Sequence, residues 1–140
     1  MYLVDTDVLS ESRKGSRADA GVQAFFAQVR RTGSPLFISA ITIGEIQHGV
    51  VRIRLRGDGE QARVLEHWLN DILQRFEDRI LPFDTDCARM WGQLRASDPS
   101  NPLDKQIAAI AHVHGLTVVT RNLAHFRPTG VPTHDPFGRV

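Results

Sequence analysis

Three carboxylates carry the chemistry that is easiest to read in this chain. Asp5 ends MYLVD, Glu45 lies in ITIGEI just past LFISAIT, and Asp104 opens DKQIAAIA. A fourth acid, Asp86 in DTDCARMWG, follows ILPF. Each is expected where a hydrophobic strand meets a helix. In an open α/β sheet, ligands bind outside the carboxyl ends of the strands, so acids far apart in sequence can converge there. Converged carboxylates repel and resist ionising together unless a cation sits between them. A donor set made only of oxygen suits hard cations, which points to Mg2+ or Mn2+.

Each acid also has a plainer use. An acid ending a buried strand is costly unless it caps a helix or binds something. Asp5 could cap a helix starting near Val8, but the recurrence of acids at other element ends favours a site. Asp7 serves equally as a first-turn acid or as a member of the metal's surroundings, with Thr6 beside it. Glu45 stands three residues after Thr42, as in a capping box. Its register beside Ile46 nevertheless turns it towards the apolar face, and Thr42 can cap alone. Asp104 is the one acid of a small-residue helix; dipole placement explains an acid there but not the pattern around it. Asp84 and Asp86 flank Thr85 at a helix start and read as capping acids. His48, His112 and His114 form no helical pair near an acid, as zinc would want. Ser39 lacks a nucleophile-elbow context and Cys87 lacks activating neighbours.

The elements that would place these residues alternate. Residues 2–5 read as a buried strand and residues 8–14 as a short helix. Val22, Phe25, Phe26 and Val29 recur at helical spacing over 21–31. Leu36 to Ser39 make a second strand after Pro35. A helix capped by Thr42 follows, with Ile43, Ile46, Val50 and Ile53 on one face. Gly57-Asp58-Gly59 is a turn, and 60–78 is a helix with a wide apolar stripe from Val64 to Phe76 that could extend into a subunit contact. Ile80 to Phe83 is a third strand, and Asp84 caps the helix carrying Cys87, Met90, Trp91 and Leu94. A Ser-Asp-Pro-Ser-Asn-Pro loop leads to a helix over 103–114, closed by Gly115. Thr117 to Thr120 is a fourth strand, and an edge strand is expected near 131–134. Alternation of this kind predicts an α/β fold with a mainly parallel sheet of four to five strands, and a helical hairpin between the second and third strands.

At 140 residues the chain reads as one domain, 1–140, with 41% hydrophobic and 24% charged residues. Its apolar runs are too short to span a membrane. The N-terminus shows no secretory leader, and the single Cys87 allows neither an internal disulfide nor a zinc–thiolate cluster, so a cytoplasmic protein is expected. The net charge is only +1, yet of 17 basic residues just Lys14 and Lys105 are lysine. Arginine suits bidentate phosphate contacts, although bulk composition is only a prior.

With these residues in view the chain resembles the PIN-domain nucleases, and more narrowly the toxin subunits of VapBC and FitAB toxin–antitoxin pairs. The matching segments are LVDTDVLSE, FISAITIGEIQHGV, ILPFDTDCARMWGQLR, DKQIAAIAHVHGLTVVTRN and a tail ending HDPF. The resemblance implies a Rossmann-like α/β/α sandwich, a Mg2+- or Mn2+-dependent endoribonuclease, a homodimer, and a cognate VapB- or FitA-like antitoxin whose C-terminal segment lies over the acidic pocket. Asp5, Glu45 and Asp104 match the family's first three acids, as catalytic and metal-holding residues. Thr6, Asp7, Thr120 and Asn122 are weaker candidates around them. Many relatives carry a fourth acid directly after Thr-Arg or three residues later; here those places hold Asn122 and His125. An amide can hold a metal or a water but brings no charge, which leaves one or two ions open. Asp7 stands where many relatives have Asn and could restore the missing charge. Arg52, Arg54 and Arg56 near the hairpin, with Arg121 at the last strand, are candidates for the RNA backbone, which such contacts position without reading sequence.

Two other classes compete. LVDTDVL also fits the opening motif of haloacid-dehalogenase-like phosphatases, with Asp5 as nucleophile, Asp7 as acid/base and Ser39 as second-motif residue. That chemistry needs a lysine and a late acidic pair: Lys14 comes too early, Lys105 lies inside a helix, and no late pair exists. A receiver domain fails similarly, for want of a phospho-accepting Asp after the third strand. A non-catalytic PIN-like RNA-binding domain draws support from Asn122 and is opposed by the three retained acids.

Overall fold

The computed structural model describes residues 1–138. Five strands, β1 (Tyr2–Val4), β2 (Leu36–Ser39), β3 (Ile80–Leu81), β4 (Thr117–Val119) and β5 (Thr133–His134), form one sheet in the order β3-β2-β1-β4-β5. Every neighbouring pair is parallel. Parallel strands need crossovers, and the helices supply them: α1 (Thr6–Ser12), α2 (Ala20–Thr32), α3 (Ala40–Leu55), α4 (Gly59–Arg75), α5 (Thr85–Ser97), α6 (Pro102–His114) and the short α7 (Leu123–Phe126). Chain order reverses across the sheet at β1, between β2 on one side and β4 on the other. That is the switch point at which open parallel sheets form a ligand crevice.

Strand alternation divides the core into two layers. Val4, Ile38 and Val119 face one side, against Val22 and Phe25 of α2 and Leu69 and Ile72 of α4. Leu3 and Val118 face the other, against Ile107, Ala108 and Ala111 of α6 and Phe126 of α7. The small residues of α6 are fully buried, which lets this helix press close to the sheet. The stripe on α4 is only partly core: Leu69 and Ile72 are buried, whereas Val64 and Leu73 are exposed. Together α3 and α4 make the expected hairpin.

Three expectations change. Ser39, not Thr42, caps α3: its hydroxyl accepts from the Thr42 N–H at 3.0 Å. The strand therefore runs into the helix with no linker, and Glu45 falls in the second turn, beyond the reach of a capping box. Asp104 does not follow a strand. It lies in the first turn of α6, after a loop held by buried Lys105, which donates to the Ser100 carbonyl and pairs with Asp98 at 3.4 Å. Finally, a 3₁₀ turn at Gly15–Arg17, the helix α7 and a second 3₁₀ turn at Arg127–Thr129 occupy stretches to which the sequence reading gave no element; each is too short to show a period. Among the described residues no helix is long and apolar enough to cross a membrane.

Candidate active site

Asp5 is the innermost acid. It follows β1 directly, is 3% exposed, and caps α1 by accepting from the Thr6 N–H at 2.8 Å. Its second oxygen accepts from the Thr120 hydroxyl at 2.8 Å, so the ends of β1 and β4 are tied across the switch point. The Thr120 hydroxyl in turn accepts from the Asn122 N–H at 3.0 Å. Thr6 turns the other way. Its hydroxyl donates to Glu45 at 2.7 Å and lies 3.1 Å from the Thr42 hydroxyl, joining the start of α1 to α3. Asp7 accepts from the N–H groups of Val8 (2.7 Å) and Arg121 (3.0 Å). Asp104 lies 2.7 Å from Nδ1 of His125, one turn into the segment after β4.

These acids sense one another. Burial pushes the Asp5 carboxyl up to about 7, helped by the charges of Asp7 and Asp104 and opposed by the Thr120 and Thr6 donors. Burial likewise raises Asp7, with further repulsion from Asp104 and Asp135. Glu45 is raised by burial and by Asp104 and Asp7, against the hydrogen bond from Thr6. Four carboxylates from the starts of α1, α3 and α6 therefore share one electrostatic neighbourhood. Without a compensating cation, Asp5, Asp7 and Glu45 are pushed towards their protonated forms.

The donor set fits a hard divalent cation, since it is all oxygen and short of positive charge. Among the described residues, no three His, Cys, Asp or Glu groups already stand close enough to grip one ion. The two findings agree if the ion keeps much of its water shell. Mg2+ usually does so, bound through one or two carboxylates with substrate phosphates completing its coordination.

The remaining candidates divide. Thr6, Asp7 and Thr120 belong to the network. Asn122 contributes its backbone N–H, and its side chain is exposed. Arg121 offers its N–H to Asp7 while its guanidinium stacks on the Phe137 ring at 4.6 Å. Arg52, Arg54 and Arg56 are exposed near the far end of α3, roughly 10 to 16 Å along the helix from Glu45. Arg54 is paired there with Glu66 at 3.2 Å. Asp86 does not join the cluster. It is exposed in the first turn of α5, which follows the edge strand β3, away from the switch point. Asp84 caps α5 as expected, accepting from the Cys87 N–H at 3.0 Å. Two contributors were not picked out from sequence. Asp135, in the tail, acts on Asp7, and His125 holds Asp104. Their signals in the chain were the place of His125, where the resemblance implies a fourth acid, and the tail segment HDPF, which carries Asp135.

A separate groove lies away from the acids. It measures about 940 Å³ between α1, α2 and α4, with Leu9, Val22, Phe26 and Trp68 among its apolar walls. Arg13, Arg30, Arg75 and Arg79 line it as well.

Residues 2–130 match the family model described as PIN domain. The chain is 32% identical to toxin FitB of Neisseria gonorrhoeae, over 98% of this chain and 99% of that protein. It is 30% identical to VapC ribonuclease Y4jK of Sinorhizobium fredii, over 98% of both. Its fold superimposes on the crystal structure of FitAcB from Neisseria gonorrhoeae with a TM-score of 0.83 at 32% identity, covering 97% of this chain and 98% of that one. A family match over most of the length, joined to acids converging at the switch point of a parallel sheet, leaves one assignment: the chain belongs to the PIN-domain family, among its VapC- and FitB-like toxins.

Proposed function

We propose that this protein is a Mg2+- or Mn2+-dependent endoribonuclease, the toxin of a toxin–antitoxin pair, held inactive by a cognate antitoxin. The observation that carries the reading is the convergence of Asp5, Glu45 and Asp104, with buried Asp5 pushed up to about 7 by its surroundings. Asp5, Glu45 and Asp104 would hold the cation. When bound, it supplies charge neutralisation at the scissile phosphate and eases deprotonation of the attacking water at neutral pH.

The chain's own residues do the positioning. Thr120 and the Thr6 N–H fix both oxygens of Asp5, and the Thr6 hydroxyl fixes Glu45. Asp7 is held by two backbone N–H groups and adds negative charge without occupying the innermost position. No side-chain nucleophile is required: Cys87 is buried and its thiol is pushed up to about 11, chiefly by burial. Arg52 and Arg56, exposed towards the far end of α3, are the candidates for contacts with an RNA backbone. Single-stranded RNA is the expected substrate class, since its bases and backbone are the most accessible.

The antitoxin reading draws on the relatives, one of which is known as FitAB bound to the IR36 DNA fragment. It also draws on the groove between α1, α2 and α4. Apolar walls with four arginines suit an amphipathic segment bearing acidic residues. Expressed alone, the protein should arrest bacterial growth, and co-expression of its antitoxin should relieve the arrest. Equal cleavage of one RNA by free toxin and by saturated complex would contradict inhibition by the partner.

A further inference from the structure

We propose that His125 is a positioning residue for the acid cluster: it donates from Nδ1 to one oxygen of Asp104 and so holds that carboxylate ready for a divalent cation. The inference rests on the metal-dependent reading above. An ionised carboxylate only accepts hydrogen bonds, so the 2.7 Å contact between Nδ1 and Asp104 Oδ2 carries its proton on the imidazole. The length is that of a charge-assisted bond. The other Asp104 oxygen accepts no hydrogen bond among the described residues, which leaves it to a cation.

The arrangement has a structural logic. Asp5 and Glu45 are each steadied by a threonine, and Asp5 also by the Thr6 N–H. Asp104 receives no threonine. It sits in the first turn of α6, a helix whose cap residue Asn101 makes no side-chain bond, with its backbone at a φ of 50°. Without His125 its side chain would have no orienting partner among the described residues. His125 comes from α7, the single helical turn that follows β4, so the same segment supplies Thr120 for Asp5 and His125 for Asp104. The ring is 43% exposed, which makes substitution compatible with folding. A donor at this corner, in place of an added acid, also limits the negative charge beside Asp7 and Asp104.

Partners of this kind orient metal-holding carboxylates, and removing one typically weakens metal affinity by about 10- to 100-fold. The test is calorimetric titration of Mn2+ into wild type, His125→Ala and His125→Asn, with thermal melts confirming that each is folded. His125→Ala should bind Mn2+ about tenfold more weakly. His125→Asn places an amide N–H where Nδ1 stood and should recover affinity to within a few-fold of wild type. Equal affinity of wild type and His125→Ala would overturn the proposal. So would His125→Asn binding as weakly as His125→Ala, because the imidazole would then be needed for something other than its Nδ1 donor. If wild type itself bound no Mn2+, the metal-dependent reading would fall first, and the failure would appear in the wild-type titration alone.

Discussion

Replacing Asp5 by Asn is expected to abolish RNA cleavage, with a loss of about 100-fold or more, while the protein remains folded. Asp5 is the acid with the least freedom: it is 3% exposed and held by both the Thr6 N–H and the Thr120 hydroxyl. Asn keeps the volume and one acceptor oxygen, so the cap on α1 survives, but the charge is gone. A cation facing Glu45 and Asp104 would then lose its most firmly placed partner. Asp5→Ala should be equally inactive. Full activity in a folded Asp5→Asn protein would remove the acid cluster from the reaction. Phosphate-monoester hydrolysis with a phosphorylated Asp5 would favour the phosphatase chemistry that the same DTD segment allows.

The second large effect concerns stability. Asp5 is raised from an ordinary 3.8 to about 7, chiefly by burial and then by Asp7. A carboxyl raised by folding favours the folded state in its protonated form. Its contribution is complete below about 4 and is lost as pH rises through about 7. Metal-free wild type should therefore lose stability between pH 5 and pH 8 relative to Asp5→Asn, by an amount on the order of 3 kcal/mol. Comparing the two proteins cancels the opposite trend of Glu11, Asp19, Asp84 and Asp98, whose carboxyls are lowered by hydrogen bonds. Added Mn2+ should raise the melting temperature of wild type more at pH 8 than at pH 5, because it binds the ionised carboxylates. Parallel melting curves for wild type and Asp5→Asn across this range would show that Asp5 ionises freely in the fold.

Much of this architecture could be read in the residues. Alternating apolar runs announce the parallel strands, and LVDTD places an acid at a strand end, where α/β sheets gather their ligands. Glu45 was legible through its register beside Ile46 and its company with Asp5 and Asp104, and the structure removes the plainer reading that competed. It looked like the far member of a capping box, but Ser39 caps α3 and frees Glu45 to meet Thr6. Asp86 also follows a strand, yet its place beside Thr85 at a helix start already read as that of a capping acid. Strand order decides its fate, and β3 lies at the sheet edge while β1 and β4 are central. The pairing of His125 with Asp104 links residues 21 apart through a helix of 4 residues, too short for any periodic signal. Asn122 seemed the disputed corner because it directly follows Thr-Arg. The fold uses its backbone N–H on Thr120, and the side chain that reaches Asp104 is that of His125.

On the proposed function, Asp5, Glu45 and Asp104 act as one divalent-cation nuclease site. The most direct measurement is cleavage of a single-stranded RNA by purified, antitoxin-free protein, first stripped with EDTA and then supplied with Mg2+ or Mn2+. The stripped protein should not cleave, cleavage should recover on adding either ion, and Asp5→Asn, Glu45→Gln and Asp104→Asn should not recover at any ion concentration tested. Undiminished cleavage in excess EDTA by wild type, with the same rate in the three variants, would contradict the proposed function.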